Sequence, residues 1–416
     1  MVIEKMNKVI WLVNYYAMPP KLESRHRTIK FAHYLSEMGY NVKIISSSFM
    51  HNMNLNLIDD NKEFIEKQYD DLSFVHIHTM AYKSNGLSRF LSLFQFHFKL
   101  NKYRDKFEKP DIIIHTALPP FGNILYFTAK KLNAKYIVEV LDLWPESFVD
   151  LGLIKKKNPI LSLLYYCEKW LYKKADNIVF SMEGGANYIV DKKWDKNAGG
   201  PIDLRKVKYI NNGVDLKDFH HFKSIYKLED VDLENDNTKK IIYIGSIRLA
   251  NNLKELINAA QILKEYSNIK FLLYGDGDDR VYLEEYCRDN GIFNVIFKEK
   301  WIEPKYVPYL LSCSDVNILN YMSGHFGKYG GSQSKMFQYM ASGKPICSNL
   351  KMMYCLINKH NLGIAKEFNS DKQYAEAILE LVSLDQKSLF EMSERAHRVV
   401  QDFDYLVLTK KLVDSF

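Results

Sequence analysis

The 416-residue chain is 47% hydrophobic and 26% charged, enough for two or more domains with large cores. Its five cysteines show no CxxC pair and no metal-ligand spacing, which excludes a disulfide scaffold and points to reduced, buried thiols in a cytosolic protein. The net charge of +7 is concentrated in residues 1–220, with 32 Lys+Arg against 24 Asp+Glu, so that part is expected to meet an anionic partner.

The chain opens on "MVIEKMNKVIWLVNYY", which runs straight into a strand pattern and does not read as a signal peptide. No apolar run reaches the roughly 18 residues of a spanning helix, so any membrane contact is expected to be peripheral. Strand-like runs follow at 8–14, 41–47, 74–80, 111–117, 135–142, 177–183 and 207–213. The connections between them read as helices; "RTIKFAHYLSEMGY" (27–40) has apolar residues at helical spacing and a closing glycine. Residues 223–239 are polar and acidic and read as a linker or surface insertion. A second series of strands follows at 240–246, 269–277, 294–300, 315–321 and 344–349.

Alternating strands and helices predict parallel sheets covered on both faces. Two such series predict an α/β chain of two doubly wound, Rossmann-like domains facing across a cleft, with ligands at the carboxyl ends of the strands. The expected boundaries are 1–220 for the first domain and 221–395 for the second. Residues 396–416 are expected to form a C-terminal helix packing back on the first domain.

The candidate chemistry sits at predicted strand ends. "YYAMPPKLESRHR" (15–27) carries Arg25, His26 and Arg27 into a helix start. "VLDLWPESF" (140–148) ends a strand with Asp142 and Glu146 on either side of Trp144 and Pro145, carboxylates suited to proton handling or sugar hydroxyls. In the second half, "YIGSIR" places Gly245, Ser246 and Arg248 at a strand end, and "YGDGDD" places Gly275 and Gly277 at the next. Glycines there let backbone approach a ligand. The aspartates of "DGDD" have no other acidic cluster nearby, so a strand–turn reading is preferred to a metal site. "GGSQSKMFQYMASGKPI" (330–346) reads as a loop, a helix and a strand. Ser332 or Ser334 is expected to cap that helix, whose free amides attract an anion. Lys335 adds a cation at the end where the macrodipole does not favour one, which makes sense if a phosphate lies between. Gln338 lies one turn on, within reach of a sugar hydroxyl.

Taken together, "SRHRTIKFAHYLSEMGYNVKII", "LDLWPES", "YINNGVD", "YIGS", "YGDGDD" and "SQSKMFQYMASGKPI" resemble the family-4 retaining glycosyltransferases of the GT-B fold. The nearest flavour is the bacterial subgroup with a "DLWPES" segment, which builds capsule, O-antigen and related surface glycans. The resemblance implies transfer of a sugar from a nucleotide diphosphate donor, UDP-sugar favoured, to a glycan or polyprenyl-linked acceptor. It implies a hexosyl- or N-acetylhexosaminyl-type enzyme with retention, no cofactor and no metal. Ser332 to Lys335 would hold the diphosphate and Gln338 the ribose. Gly245, Ser246, Asn251, Gly275, Gly277, Trp301 and Ile302 would complete the donor site. Asp142, Glu146, Arg248 and Lys335 would carry the chemistry, with Arg25 and His26 on the acceptor side. Two departures stand out. The family's pair of acidic residues falls on Gly330 and Gln338, and its Arg/Lys pair on Ser246 and Asn251. A nucleotide-sugar epimerase and a non-catalytic partner are the alternatives. An epimer formed without acceptor would mark the first, and absent nucleotide binding the second.

The segment 82–109 sets Phe90, Leu91, Leu93, Phe94, Phe96 and Phe98 between its first basic residues and the rest and carries a net +5, and 155–174 has the same character. Such stretches either lie in the headgroup region of an anionic membrane or pack on the sheet as core helices. The first reading places the protein in the cytoplasm, peripheral on the inner face of the plasma membrane. No nucleic-acid-binding motif is visible.

Overall fold

The computed structural model describes residues 8–22, 27–51, 53–83, 86–118, 120–150, 152, 154–155, 157–322 and 327–416. The chain divides into two units, one of residues 1–211 with 405–416 and one of residues 212–404.

The first unit is built on an eight-stranded sheet: β1 (Val9–Val13), β2 (Asn41–Ser47), β3 (Phe64–Tyr69), β4 (Leu72–Ile77), β5 (Ile112–Thr116), β6 (Lys135–Val140), β7 (Asn177–Phe180) and β8 (Val207–Tyr209). The order is β8-β7-β6-β5-β1-β2-β4-β3, all parallel except the edge pair β3–β4. Central strands are apolar without alternation because both faces are covered; every residue of β1, "VIWLV", is buried. Right-handed crossovers turn in opposite directions from β1 and so place helices on both faces. Helix α1 (Arg27–Glu37) buries Phe31, Ala32, Tyr34 and Leu35 on one face. Helices α2 (Leu87–Tyr103), α3 (Gly122–Leu132) and α4 (Pro159–Lys174) connect β4, β5, β6 and β7 in one direction, and therefore share the other face.

The C-terminal helix Tyr405–Val413 closes the first unit, with Tyr405, Leu408 and Leu412 in the core beside Phe31 and Leu35. The segment predicted as one element from 396 is interrupted. Its first residues belong to helix Gln386–Val400, which buries Ala396 and Val400 in the second unit. The unit boundary falls at 211/212, nine residues before the predicted 220.

One carboxyl is fully buried here. Glu168 of α4 accepts hydrogen bonds from Tyr172 Oη and Tyr188 Oη, both at 2.8 Å. Burial pushes it up to about 8, against the lowering effect of the two hydroxyls. Its folded pKa is raised, so the folded state binds more protons from about pH 4.5 to about 8, and stability falls as pH rises through that window. Glu168→Gln is expected to flatten this decline and to gain on the order of 2 kcal/mol at pH 7.5. Urea titrations at pH 5.5 and 7.5 measure it; equal slopes for parent and variant would refute the assignment.

The second unit carries β9 (Lys239–Ile244), β10 (Ile269–Tyr274), β11 (Val295–Phe297), β12 (Val316–Leu319), β13 (Ile346–Ser348) and β14 (Gly363–Ala365). The order is β11-β10-β9-β12-β13-β14, all parallel. This is a doubly wound arrangement, with its switch point beside β9. Residues 223–239 do not form a free linker. Helix Leu216–Ile225 and a short turn at Val231–Glu234 occupy it, and Leu233 is buried. Two of its acidic residues share a partner: Lys298 Nζ reaches Asp230 at 2.7 Å and Asp232 at 2.6 Å, and Tyr274 Oη donates to Asp230 at 2.9 Å.

Candidate functional site

In the second unit, the carboxyl ends of β9 and β10 and the start of α5 (Ser334–Ser342) converge around Lys335. The position before the helix is Gln333, which makes no side-chain cap hydrogen bond. The predicted serine cap is therefore absent. Ser332 Oγ accepts instead from the backbone N–H of Asn212 (3.0 Å), and the Asn212 side chain donates to the Ser332 carbonyl (2.8 Å). Ser334 is the first helical residue and is exposed. The outcome is a helix start held in place by Asn212 with no side-chain cap from Gln333, an arrangement that favours an anion. Asn212 belongs to the "NNGVD" stretch; the sequence marked that stretch but not this role.

Lys335 Nζ donates to Tyr243 Oη at 3.3 Å and lies 4.7 Å from the centre of that ring. Among the described residues no carboxylate pairs with it. Desolvation lowers its pKa to about 8. The ammonium presses on the backbone of Gly245: a Cβ there would stand 2.0 Å from Nζ. Gly245 is thus required by the lysine.

Gly275 and Gly277 have a packing requirement of their own. A Cβ on Gly275 would lie 1.9 Å from the Gly245 carbonyl oxygen, and one on Gly277 would lie 2.3 Å from that of Ile247. They let one loop close on the next. Asn251 is buried and spent on the same task; its Nδ2 donates to the carbonyl and the hydroxyl oxygen of Ser246, at 2.8 and 2.9 Å. Tyr243 Oη donates to that carbonyl at 2.6 Å. Ser246 and Arg248 remain exposed, and Arg248 lies over Gly277 without an ion-pair partner among the described residues. Gln338 is half-buried and makes no hydrogen bond among the described residues. Trp301 is 62% exposed, whereas Ile302 packs on the core beside Leu233 and Tyr274.

In the first unit, Asp142 follows the carboxyl end of β6. Its side chain opens to solvent, yet the surrounding protein desolvates it and raises its carboxyl above the usual range. We read it as an open but poorly hydrated carboxylate, without a partner among the described residues. Glu146 differs. It accepts a hydrogen bond from Tyr165 Oη and is paired with Lys192, so its charge is already answered within the unit. Arg25 and His26 lie outside the described residues. Their neighbour Arg27 turns inward and is buried. Among the described residues no three His, Cys, Asp or Glu side chains gather as a metal cluster, and no helix is long and apolar enough to cross a membrane.

Comparison with known proteins adds to this geometry. Residues 26–218 match the Glycosyltransferase Family 4 model and residues 226–399 the Glycosyl transferases group 1 model. The chain is 24% identical over 320 residues to the probable glycosyltransferase WbjE of Pseudomonas aeruginosa, covering 74% of each chain. Among solved structures, it resembles Anabaena Alr3699/HepE in complex with UDP and glucose, with a TM-score of 0.64, 12% identity and 98% of each chain covered. It also resembles WaaG, a glycosyltransferase involved in lipopolysaccharide biosynthesis, with a TM-score of 0.63, 13% identity and 97% and 98% of the two chains covered. With a family-4 part followed by a group 1 part over two doubly wound units, the chain is a glycosyltransferase of the GT-B fold.

Proposed function

We propose that this glycosyltransferase transfers a hexosyl or N-acetylhexosaminyl group from a nucleotide diphosphate donor, most favourably a UDP-sugar. The acceptor is a glycan or polyprenyl-linked glycan in bacterial surface polysaccharide synthesis, in the cytoplasm at the inner face of the plasma membrane. The observation that carries the donor half is Lys335: a desolvated ammonium at an uncapped helix start, with no carboxylate beside it among the described residues. Such a cation is electrostatically incomplete, and a diphosphate would complete it. HepE, solved with UDP and glucose, supports the choice of nucleotide, and WaaG, involved in lipopolysaccharide biosynthesis, supports the class of product.

In the proposed reaction the bond from the anomeric carbon to the diphosphate oxygen breaks, and the acceptor hydroxyl forms the new glycosidic bond with retention. Negative charge develops on the departing diphosphate. Lys335, the first amides of α5 and Arg248 stabilise it there without a resident metal. Gln338, one turn into the helix, offers its free amide to the ribose in place of an acidic residue.

Lys335→Ala is expected to weaken UDP binding ten- to a hundredfold, since a charge-assisted hydrogen bond contributes about 1.5–3 kcal/mol. Calorimetric titration measures this, with urea denaturation as the check on folding. Only the charged lysine attracts the phosphate, so raising the pH from 7 to 9, through a pKa of about 8, is expected to cost about tenfold in affinity. Lys335→Arg should remove that dependence. Unchanged affinity in a folded Lys335→Ala protein would sink the reading, and absence of UDP binding by the parent would favour a non-catalytic protein.

A further inference from the structure

Helix α2 is apolar on two sides. Leu93, Phe96, His97 and Leu100 are buried against the sheet. Leu87, Phe90, Leu91, Phe94 and Phe98 form a second stripe at helical spacing, and each is 44–74% exposed. The stripe continues sideways. Phe90 and Phe94 reach the Phe121 ring at the start of α3 (4.6 and 6.3 Å between centroids), and α3 packs on both α2 and α4. Phe127 of α3 stands 53% exposed beside Trp170 of α4. On α4, Ile160, Leu163 and Tyr166 are 60–65% exposed. Three adjacent, parallel helices on one face of the sheet thus each present exposed apolar side chains, with the buried Phe121 ring joining α2 to α3 beneath them, more than scattered exposed residues account for.

The helices of this surface are basic, although Asp105 and Glu108, just past the end of α2, are exposed. The three helices carry eight Lys and Arg, and their single acidic residue, Glu168, is fully buried. Lys99 is spent on Glu63 at 2.6 Å and Arg89 on Tyr16, but Lys102, Lys130, Lys131, Lys173 and Lys174 are exposed. All five lie in the last turns of their helices, so the lysines gather beyond one end of the apolar surface.

We infer that the α2–α3–α4 face is a docking surface for an anionic lipid bilayer. Its aromatic and aliphatic side chains enter the headgroup region, and its five exposed lysines meet the lipid charge. The inference rests on the proposed lipid-linked acceptor for its use but not for its measurement, because vesicle binding needs neither donor nor acceptor.

The test is co-sedimentation of the full chain with vesicles of phosphatidylcholine alone and of phosphatidylcholine with phosphatidylglycerol, at low and high salt. Binding is expected to the anionic vesicles and to weaken with salt. Lys102→Glu, Lys130→Glu and Lys131→Glu together are expected to lower the partition coefficient on the order of a hundredfold, because each lysine near such a surface contributes roughly fivefold. Phe94→Asp, Phe98→Asp and Leu163→Asp together are expected to abolish binding while leaving UDP affinity unchanged, which separates a failure here from a failure at Lys335. No binding to either vesicle at low salt overturns the inference. So does vesicle binding that neither triple variant weakens. A dimer dissolved by the apolar variant, without vesicle binding, assigns the face to a second copy instead.

Discussion

Arg27→Ala is expected to destabilise the first unit by about 3–5 kcal/mol, the cost of breaking a buried ion pair by removing one partner. Arg27 is 5% exposed at the first turn of α1. Its Nε donates to Glu139 Oε1 at 2.9 Å, and its two terminal nitrogens donate to the carbonyls of Ile210 (2.8 Å) and Asn211. Glu139 Oε2 accepts from Thr116 Oγ1 at 2.8 Å. One guanidinium therefore ties α1 to the ends of β5 and β6 and to the chain leaving β8. Removing it strands a buried carboxylate and two carbonyls. Arg27→Lys should recover only part of the loss, because a point charge cannot serve three acceptors in a plane. Replacing both partners, Arg27→Met with Glu139→Gln, should cost less than Arg27→Ala alone. Urea denaturation measures all three. A loss below about 1 kcal/mol for Arg27→Ala would show that the pair is not the pin described.

Arg27 also shows where sequence reading stops. "SRHR" announces three cations at a strand's carboxyl end, but nothing in the residue types says which one turns inward. That depends on Glu139, more than a hundred residues away. The central strands were legible because buried parallel strands are plain apolar runs, and each predicted run overlaps a strand; the edge strands Phe64–Tyr69 and Gly363–Ala365 fall outside the predicted runs. The place of Lys335 in the first turn of a helix was legible. The cap was not. Ser332 has the right chemistry, but a backbone N–H from Asn212, 120 residues away, takes its hydroxyl oxygen. The motif puts Asn251 and Gly275 among the expected donor contacts, yet one is hydrogen-bonded to Ser246 and the other packs on the Gly245 carbonyl. Motifs fix which loops meet and leave open which atoms face a ligand. For α2 the sequence left two readings, core helix or membrane face. The structure gives the helix one buried apolar stripe and one exposed.

Asp142→Asn is expected to lower sugar transfer by a hundredfold or more while leaving UDP affinity unchanged. Proton handling by a positioned carboxylate contributes roughly a hundred- to ten-thousandfold. Of the two carboxylates in "DLWPES", Glu146 is already neutralised by Lys192 and held by Tyr165. Asp142 is open, unpaired among the described residues, and desolvated. Its raised pKa means that less of it is charged at mildly acid pH than an ordinary aspartate. If the carboxylate form is the active one, transfer should rise with pH through that raised value and fall away on the acid side. The Asn variant should lose this acid limb along with most of its rate. Glu146→Gln should behave differently, with a smaller loss of transfer and a lower unfolding midpoint, because Lys192 then loses its counter-charge. Initial rates with a UDP-sugar and acceptor across pH 5–8, with UDP titration in parallel, separate these outcomes. An Asp142→Asn enzyme with the parent's rate and acid limb would remove Asp142 from the reaction.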